Sequence, residues 1–180
     1  MAMLGAAPAV AGPGAQAEPA RKSEPLPAPP QVQALDFLLG SYKCVDTPSP
    51  GAQPAVVYVT TKRVLEGHYY ESEVSIRPDV LLGRATMGWN PVEGKIVSFY
   101  VDNWGTTGTS VSPGLVDGHL VLTGSILQVI SPSPTGSAPG VRLGIQDDYQ
   151  PLGPGHFTNL QTITLPDGNT IQHSYDCNRR

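Results

Sequence analysis

The chain has 180 residues with 20 Gly and 19 Pro, a density of helix breakers that excludes a helical bundle. Charged residues make up only 14% of it, which excludes coiled coils and highly charged disordered tails. The formal net charge of -4 and the lack of an apolar run of about 18 residues predict neither a nucleic-acid partner nor a membrane span.

Residues 1–31 have the composition of a disordered leader, with nine Ala, seven Pro and three Gly and no helical or strand periodicity. Within it, Ala15-Gln16-Ala17 has the small-x-small form that signal peptidase accepts. No Lys or Arg precedes the apolar stretch before it, so a signal remnant and a plain tail both stay open. We predict a single domain over residues 32–180 and a periplasmic or secreted location, with cytoplasmic as an even alternative.

The domain begins with a short helical turn that ends at Gly40. Its apolar stripe consists of Val32, Leu35, Phe37, Leu38 and Leu39. Beyond it, runs rich in Val, Ile, Thr, Tyr and Phe between turn residues predict ten strands. They cover residues 41–47, 55–65, 67–77, 81–90, 95–103, 106–112, 119–127, 141–149, 156–165 and 169–177.

The connections between these strands favour an antiparallel meander. Hairpin turns are predicted at Asn90–Gly94, Val116–Gly118 and Pro166–Asn169, all too short for a parallel crossover. Looser loops are predicted between strands as well, at Pro48–Pro54, Ile130–Gly140 and Pro151–Gly155. Because closure removes exposed sheet edges, we predict an all-β, closed or nearly closed antiparallel up-and-down barrel, wide enough for a ligand cavity.

The two cysteines test this closure. Cys44 lies on the first predicted strand and Cys177 on the last, and these strands are neighbours in a closed barrel. We therefore predict a disulfide between them, which would favour export; the alternative is two unrelated buried thiols, as in a cytosolic protein.

Several motifs resemble a bacterial lipocalin-like (calycin-type) family of uncharacterised domains, distantly similar to nitrobindin and the fatty-acid-binding proteins. Residues 35–42 match its hydrophobic turn, Gly, x, aromatic start, with Tyr42 where Trp is usual. The central and late motifs are Gly88–Pro91, Gly94-Lys95, Val101–Asn103, Gly105-Thr106, Leu122–Gly124 and Pro166–Gly168. The resemblance implies a small barrel with an interior for hydrophobic or amphipathic molecules and supplies no catalytic residues.

Asp102 follows Tyr100 by two residues on one predicted strand face. A desolvated carboxylate there could act as a base or orient a polar ligand head. The alternative is that Asp102 ends its strand and caps the turn at Asn103–Gly105. Trp104, next in the chain, is interpreted as a rim or core aromatic.

Other residues are candidates for orienting a ligand in an apolar pocket. With Tyr100 and Asp102, the predicted ligand-binding set contains Tyr42, Tyr70, Arg142, His173 and Tyr175. Tyr149, on the strand of Arg142, and Gln161, on the next predicted strand, could supply further polar groups that orient a ligand, although all of these residues could equally face outward. Period-2 alternation alone does not settle which face lies inside, because several strands are apolar on both faces.

Glu71 and Glu73, two residues apart, are interpreted as a solvated strand face. Four histidines raise the question of metal or haem, and the nitrobindin resemblance would allow a late-chain His such as His156 or His173 as a haem ligand. Their spacing matches no ligand motif, so we predict no metal and no cofactor.

These features support a first hypothesis of an exported barrel that binds a small hydrophobic or amphipathic molecule. The alternative is an isomerase, cyclase or hydrolase of a lipophilic metabolite, with Asp102, Tyr100 or His173 as acid or base. A weaker alternative is a structural envelope or stress protein with a filled interior. Fold alone does not separate them.

Overall fold

The computed structural model describes residues 26–48, 50, 54–77, 81–131 and 133–180. These residues form two short 3-10 helices, Pro30–Leu38 and Leu65–Gly67, and eleven strands. The strands are β1 (Gly40–Pro48), β2 (Val56–Val64), β3 (Tyr69–Arg77), β4 (Leu81–Asn90), β5 (Lys95–Asp102), β6 (Thr107–Ser112), β7 (Leu115–Val116), β8 (His119–Val129), β9 (Gly140–Gly153), β10 (His156–Thr164) and β11 (Thr170–Arg179). Most of the predicted leader and part of the loop after Pro48 lie outside the described residues.

Ten of the strands form a closed antiparallel barrel, as predicted. Each is hydrogen-bonded to its neighbours in the order β6-β5-β4-β3-β2-β1-β11-β10-β9-β8, and pairing of β6 with β8 closes the ring. The extra strand, β7, has only two residues and pairs with the start of β8 outside the ring. It was not predicted, because two residues carry no periodicity.

The three predicted hairpin turns are confirmed. Gly94, Asp117 and Gly168 all have positive φ, at 63°, 50° and 87°, and Asp167 Oδ1 accepts a hydrogen bond from the Asn169 backbone N–H at 3.0 Å.

The predicted loose loop at Pro151–Gly155 is wrong, because β9 continues through Gly153 and turns into β10 at residues 154–155. A register shift between His156 and Phe157 brings Pro151 opposite Phe157. Such an irregularity lets a strand accommodate proline, which has no N–H to donate.

The N-terminal 3-10 helix fills one end of the barrel. Val32, Leu35 and Leu38 are buried there against a core that includes Tyr42 and Phe157. The Tyr42 hydroxyl donates to the Phe37 carbonyl oxygen at 2.7 Å, which fixes the helix to β1. The predicted helical turn is therefore confirmed, and Gly40 follows it with a φ of +109°.

A disulfide joins the first and last barrel strands. Cys44 and Cys177 lie directly opposite each other in the β1–β11 ladder and are bonded across a sequence separation of 133 residues. The alternative of two unrelated thiols is wrong. For a loop of this length, the chain-entropy account gives a stabilisation of about 5 kcal/mol.

Candidate functional site

The barrel interior holds a cavity of about 360 Å³ beside the packed end. The inward residues of β2 to β4 supply a mostly apolar wall, consisting of Val57, Val59, Val74, Ile76, Leu81, Ala85 and Met87. Thr61 and Ser72 also lie on this wall, and their hydroxyls hydrogen-bond each other at 2.8 Å. This wall therefore offers an incoming molecule mainly apolar contact.

The wall formed by β9 to β11 is polar and centred on Asp147. This side chain is buried, and its Oδ1 accepts hydrogen bonds from Asn159 Nδ2 and Gln161 Nε2, both at 3.0 Å. Burial raises the pKa of Asp147, and the two amide hydrogen bonds only partly oppose that effect.

Two tyrosines adjoin this carboxyl group. Burial raises the pKa of Tyr149 well above its ordinary value, and the charge of Asp147 raises it further. Burial also raises the pKa of Tyr175, together with the charges of Asp46 and Asp147. Both phenols therefore stay protonated at neutral pH and can donate hydrogen bonds into the cavity.

Asp46 and His173 form a buried pair at the edge of the polar wall. Asp46 Oδ2 lies 2.8 Å from His173 Nδ1, and the Asp46 side chain has no exposed surface. The His173 ring stacks on Tyr175, with ring centroids 6.0 Å apart. The pair bridges β1 and β11 close to the disulfide.

Asp102 caps a turn and also borders the cavity. Its Oδ1 accepts hydrogen bonds from the backbone N–H groups of Trp104 and Thr106, each at 3.0 Å, so the turn-capping interpretation is confirmed. Its Oδ2 accepts the Tyr100 hydroxyl at 3.3 Å, and both side chains border the cavity. Burial, followed by the charge of Asp102, raises the pKa of Tyr100, so this phenol acts as a donor.

Four of the seven predicted ligand-binding residues are absent from the cavity lining: Tyr42, Tyr70, Arg142 and His173, whose imidazole pairs with Asp46. Tyr42 and Tyr70 point inward, but they are buried under the N-terminal helix and fix it to the barrel. Arg142 is exposed on the outer face, where its Nη1 donates to Ser125 Oγ at 3.1 Å. The inward positions of β9 are the odd-numbered ones, occupied by Ile145, Asp147 and Tyr149, so Arg142 has the wrong parity.

The remaining charged candidates are surface residues. Glu71 and Glu73 pair with Lys62 and Arg84 on the outer face, which confirms the solvated-face interpretation. Within the described ranges, no group of three His, Cys, Asp or Glu side chains is placed to hold a metal ion.

Sequence reasoning missed Asp147, Asn159 and Asp46. The signal for Asp147 was available, because it shares a parity with Leu143 and Ile145 and so interrupts the apolar face of its strand. Asn159 and Asp46 likewise lie two residues after buried Phe157 and Cys44, on the same strand faces. A polar residue at an apolar parity position is the pattern that would have identified all three.

No protein-family model matches the chain, and no curated protein matches it. None of the helices in the described segments is both long and apolar enough to cross a membrane. The case for function therefore depends on the cavity.

Proposed function

We propose that this chain is an exported, lipocalin-like barrel that binds a small hydrophobic or amphipathic molecule in its interior. The observation that carries the proposal is the 360 Å³ cavity, which combines an apolar wall with a few convergent polar groups. That combination is the usual composition of a small-molecule site. The motif resemblance to lipocalin-like domains supports the same interpretation.

The disulfide supports export. Disulfides persist in oxidising compartments and are rare in the cytosol, where thiols are kept reduced. The mass of the protein purified from its host, with and without reductant, tests this part of the proposal. Free thiols at Cys44 and Cys177 in the native protein would contradict export.

Binding is tested with N-phenyl-1-naphthylamine, an apolar dye that is uncharged at neutral pH and fluoresces in apolar surroundings. The wild-type protein should enhance its fluorescence saturably. Ala85→Phe places a ring in the cavity and should weaken dye binding by about tenfold or more, because the ring occupies the dye's space.

Thr86→Phe is the matched control, since it adds the same ring on the outer face of the same strand. Dye binding to this variant should equal that of the wild type. Failure of the wild type to bind dye, or equal binding by Ala85→Phe, would contradict an interior binding site. Native mass spectrometry of host-purified protein then identifies any retained molecule.

A further inference from the structure

The polar wall of the cavity presents unpaired hydrogen-bond acceptors. Asn159 is buried, and its Oδ1 has no hydrogen-bond partner among the described residues. Its orientation is fixed, because the amide nitrogen donates to Asp147 and a reversed amide would set oxygen against oxygen. Asn159 lines the cavity, and a buried acceptor without a donor costs free energy that a ligand donor reaching it would recover.

Asp147 has the same shortage of donors. Asn159 and Gln161 both donate to Oδ1, and no described residue donates to Oδ2. The wall therefore holds a carboxylate oxygen and an amide oxygen that accept no hydrogen bond from the described residues.

The charges that line the cavity have one sign. Among the described residues of the lining, Asp102 and Asp147 carry carboxyl groups, and Lys, Arg and His are absent. His173, two residues from Tyr175 on β11, is already hydrogen-bonded to Asp46. Such a lining repels an anionic head group and attracts a cationic one.

We infer that the ligand carries a primary ammonium group, which donates to Asp147 and Asn159 while an apolar chain lies against the β2–β4 wall. This inference rests on the proposed binding function and names the class of its ligand. The rings of Tyr149 and Tyr175 line the same wall, and aromatic faces also attract cations. The head group therefore finds charge, acceptors and aromatic rings on one wall.

The test compares three ligands that share a chain and differ in their head group: n-octylamine, n-octanol and octanoate. Calorimetric titration of the full chain near neutral pH should show the amine binding at least about tenfold more tightly than the alcohol, with octanoate weakest. Asp147→Asn keeps the shape of the side chain and should lower the amine affinity to about that of the alcohol, which removes the amine preference. Asp148→Asn makes the same charge change on the outer face of β9 and should retain the preference.

The pH dependence of wild-type binding gives a second readout, which needs no variant. Charged and titratable groups near Asp147 are Tyr149 on its own strand, Tyr175 and His173 on β11, and Asp46 on β1; Tyr100 and Asp102 also border the cavity. Protonation of Asp147 removes the counter-charge, so the amine-to-alcohol affinity ratio should fall as pH drops below neutral. If Asp147→Asn does not fold, this ratio decides the matter.

Equal affinities for amine and alcohol, a ratio independent of pH, or tightest binding of octanoate would each overturn the ammonium assignment. So would failure of all three ligands in a protein that still binds N-phenyl-1-naphthylamine. In that last case the binding function itself stands, whereas failure of the dye as well would contradict the proposed function.

Discussion

Asp46 and His173 show how a single buried contact can limit stability. The Asp46 carboxyl group has no exposed surface, so water cannot replace the imidazole that lies 2.8 Å away. We predict that His173→Phe lowers the free energy of unfolding by about 3 kcal/mol, because it leaves a buried carboxylate without its partner. Urea denaturation near neutral pH measures the loss.

A second Asp–His pair, between β10 and β11, provides the control. His156 and Asp176 lie 3.1 Å apart, but their side chains are 37% and 60% exposed. Exposed pairs contribute about 0–1 kcal/mol, so His156→Phe should have little effect on unfolding. Adding Asp46→Asn to His173→Phe should recover part of the lost free energy of unfolding. Equal losses in His173→Phe and His156→Phe would contradict the burial argument.

At the residue scale, the sequence predicted pairings better than it predicted the site. The Cys44–Cys177 bridge followed from strand order, and the turn cap at Asp102 followed from its place at a strand end. The central carboxyl group, Asp147, was missed although it shares a face with Leu143 and Ile145, because a carboxylate on a strand is ordinarily an outward residue. Only on strands that are apolar on both faces is the inward face left to tertiary packing.

At the scale of elements, the N-terminal 3-10 helix depends on contacts with the barrel for its position. Asp36 on this helix accepts hydrogen bonds from Arg63 and from the Tyr70 hydroxyl. Burial alone would raise the pKa of Asp36, but the hydrogen bonds from Arg63 and Tyr70 outweigh it and hold the pKa below its ordinary value of 3.8. Burial and the contact with Asp36 raise the pKa of Tyr70 to about 12.

A pH-dependent contribution to stability follows from this contact. A lowered carboxyl pKa stabilises the folded state above the ordinary pKa, and the stabilisation disappears as pH falls through the folded-state pKa. Since the Asp36 side chain is 44% exposed, we predict that Asp36→Asn lowers the melting temperature by only about 2 °C near pH 6 and by less near pH 3. Glu73→Gln, which alters a looser exposed pair at 3.4 Å, is the control and should show a smaller difference at each pH.

A difference that grows on acidification would contradict the assignment of this effect to Asp36. Thermal melts of both variants and the wild type across this pH range measure it.

The elements themselves were largely predictable. Ten strands were predicted from β-branched and aromatic runs that lie between turn residues. The turns could be located because Gly and Asp, as at Gly94 and Asp117, tolerate the positive φ that tight turns require. The continuation of β9 past Pro151 was not predictable, because proline ordinarily ends a strand and the register shift that accommodates it depends on β10.

At the scale of the whole molecule, the barrel divides into a packed end and a cavity with one apolar and one polar wall. The packed end contains the N-terminal helix and much of the buried apolar core, including Leu35, Tyr42 and Phe157. The cavity contains buried polar groups that a filled apolar core would not need. Stability and recognition therefore oppose each other at Asp147.

This opposition predicts that the change which removes ammonium recognition also makes the empty protein more stable. Because burial raises the folded-state pKa of Asp147, the folded state loses stability as pH rises from the ordinary carboxyl pKa through that raised value. At about pH 7.5, Asp147→Asn should therefore unfold at a higher urea concentration than the wild type. Its free energy of unfolding should be greater by about 1 kcal/mol, and this difference should disappear near pH 4. Asp148→Asn, on the outer face, should not raise the free energy of unfolding in this way. If Asp147→Asn is instead less stable than the wild type at neutral pH, the carboxylate stabilises the empty barrel and the prediction is wrong. Saturating n-octylamine should reverse the order, since it binds the wild type more tightly and therefore stabilises it more than the variant.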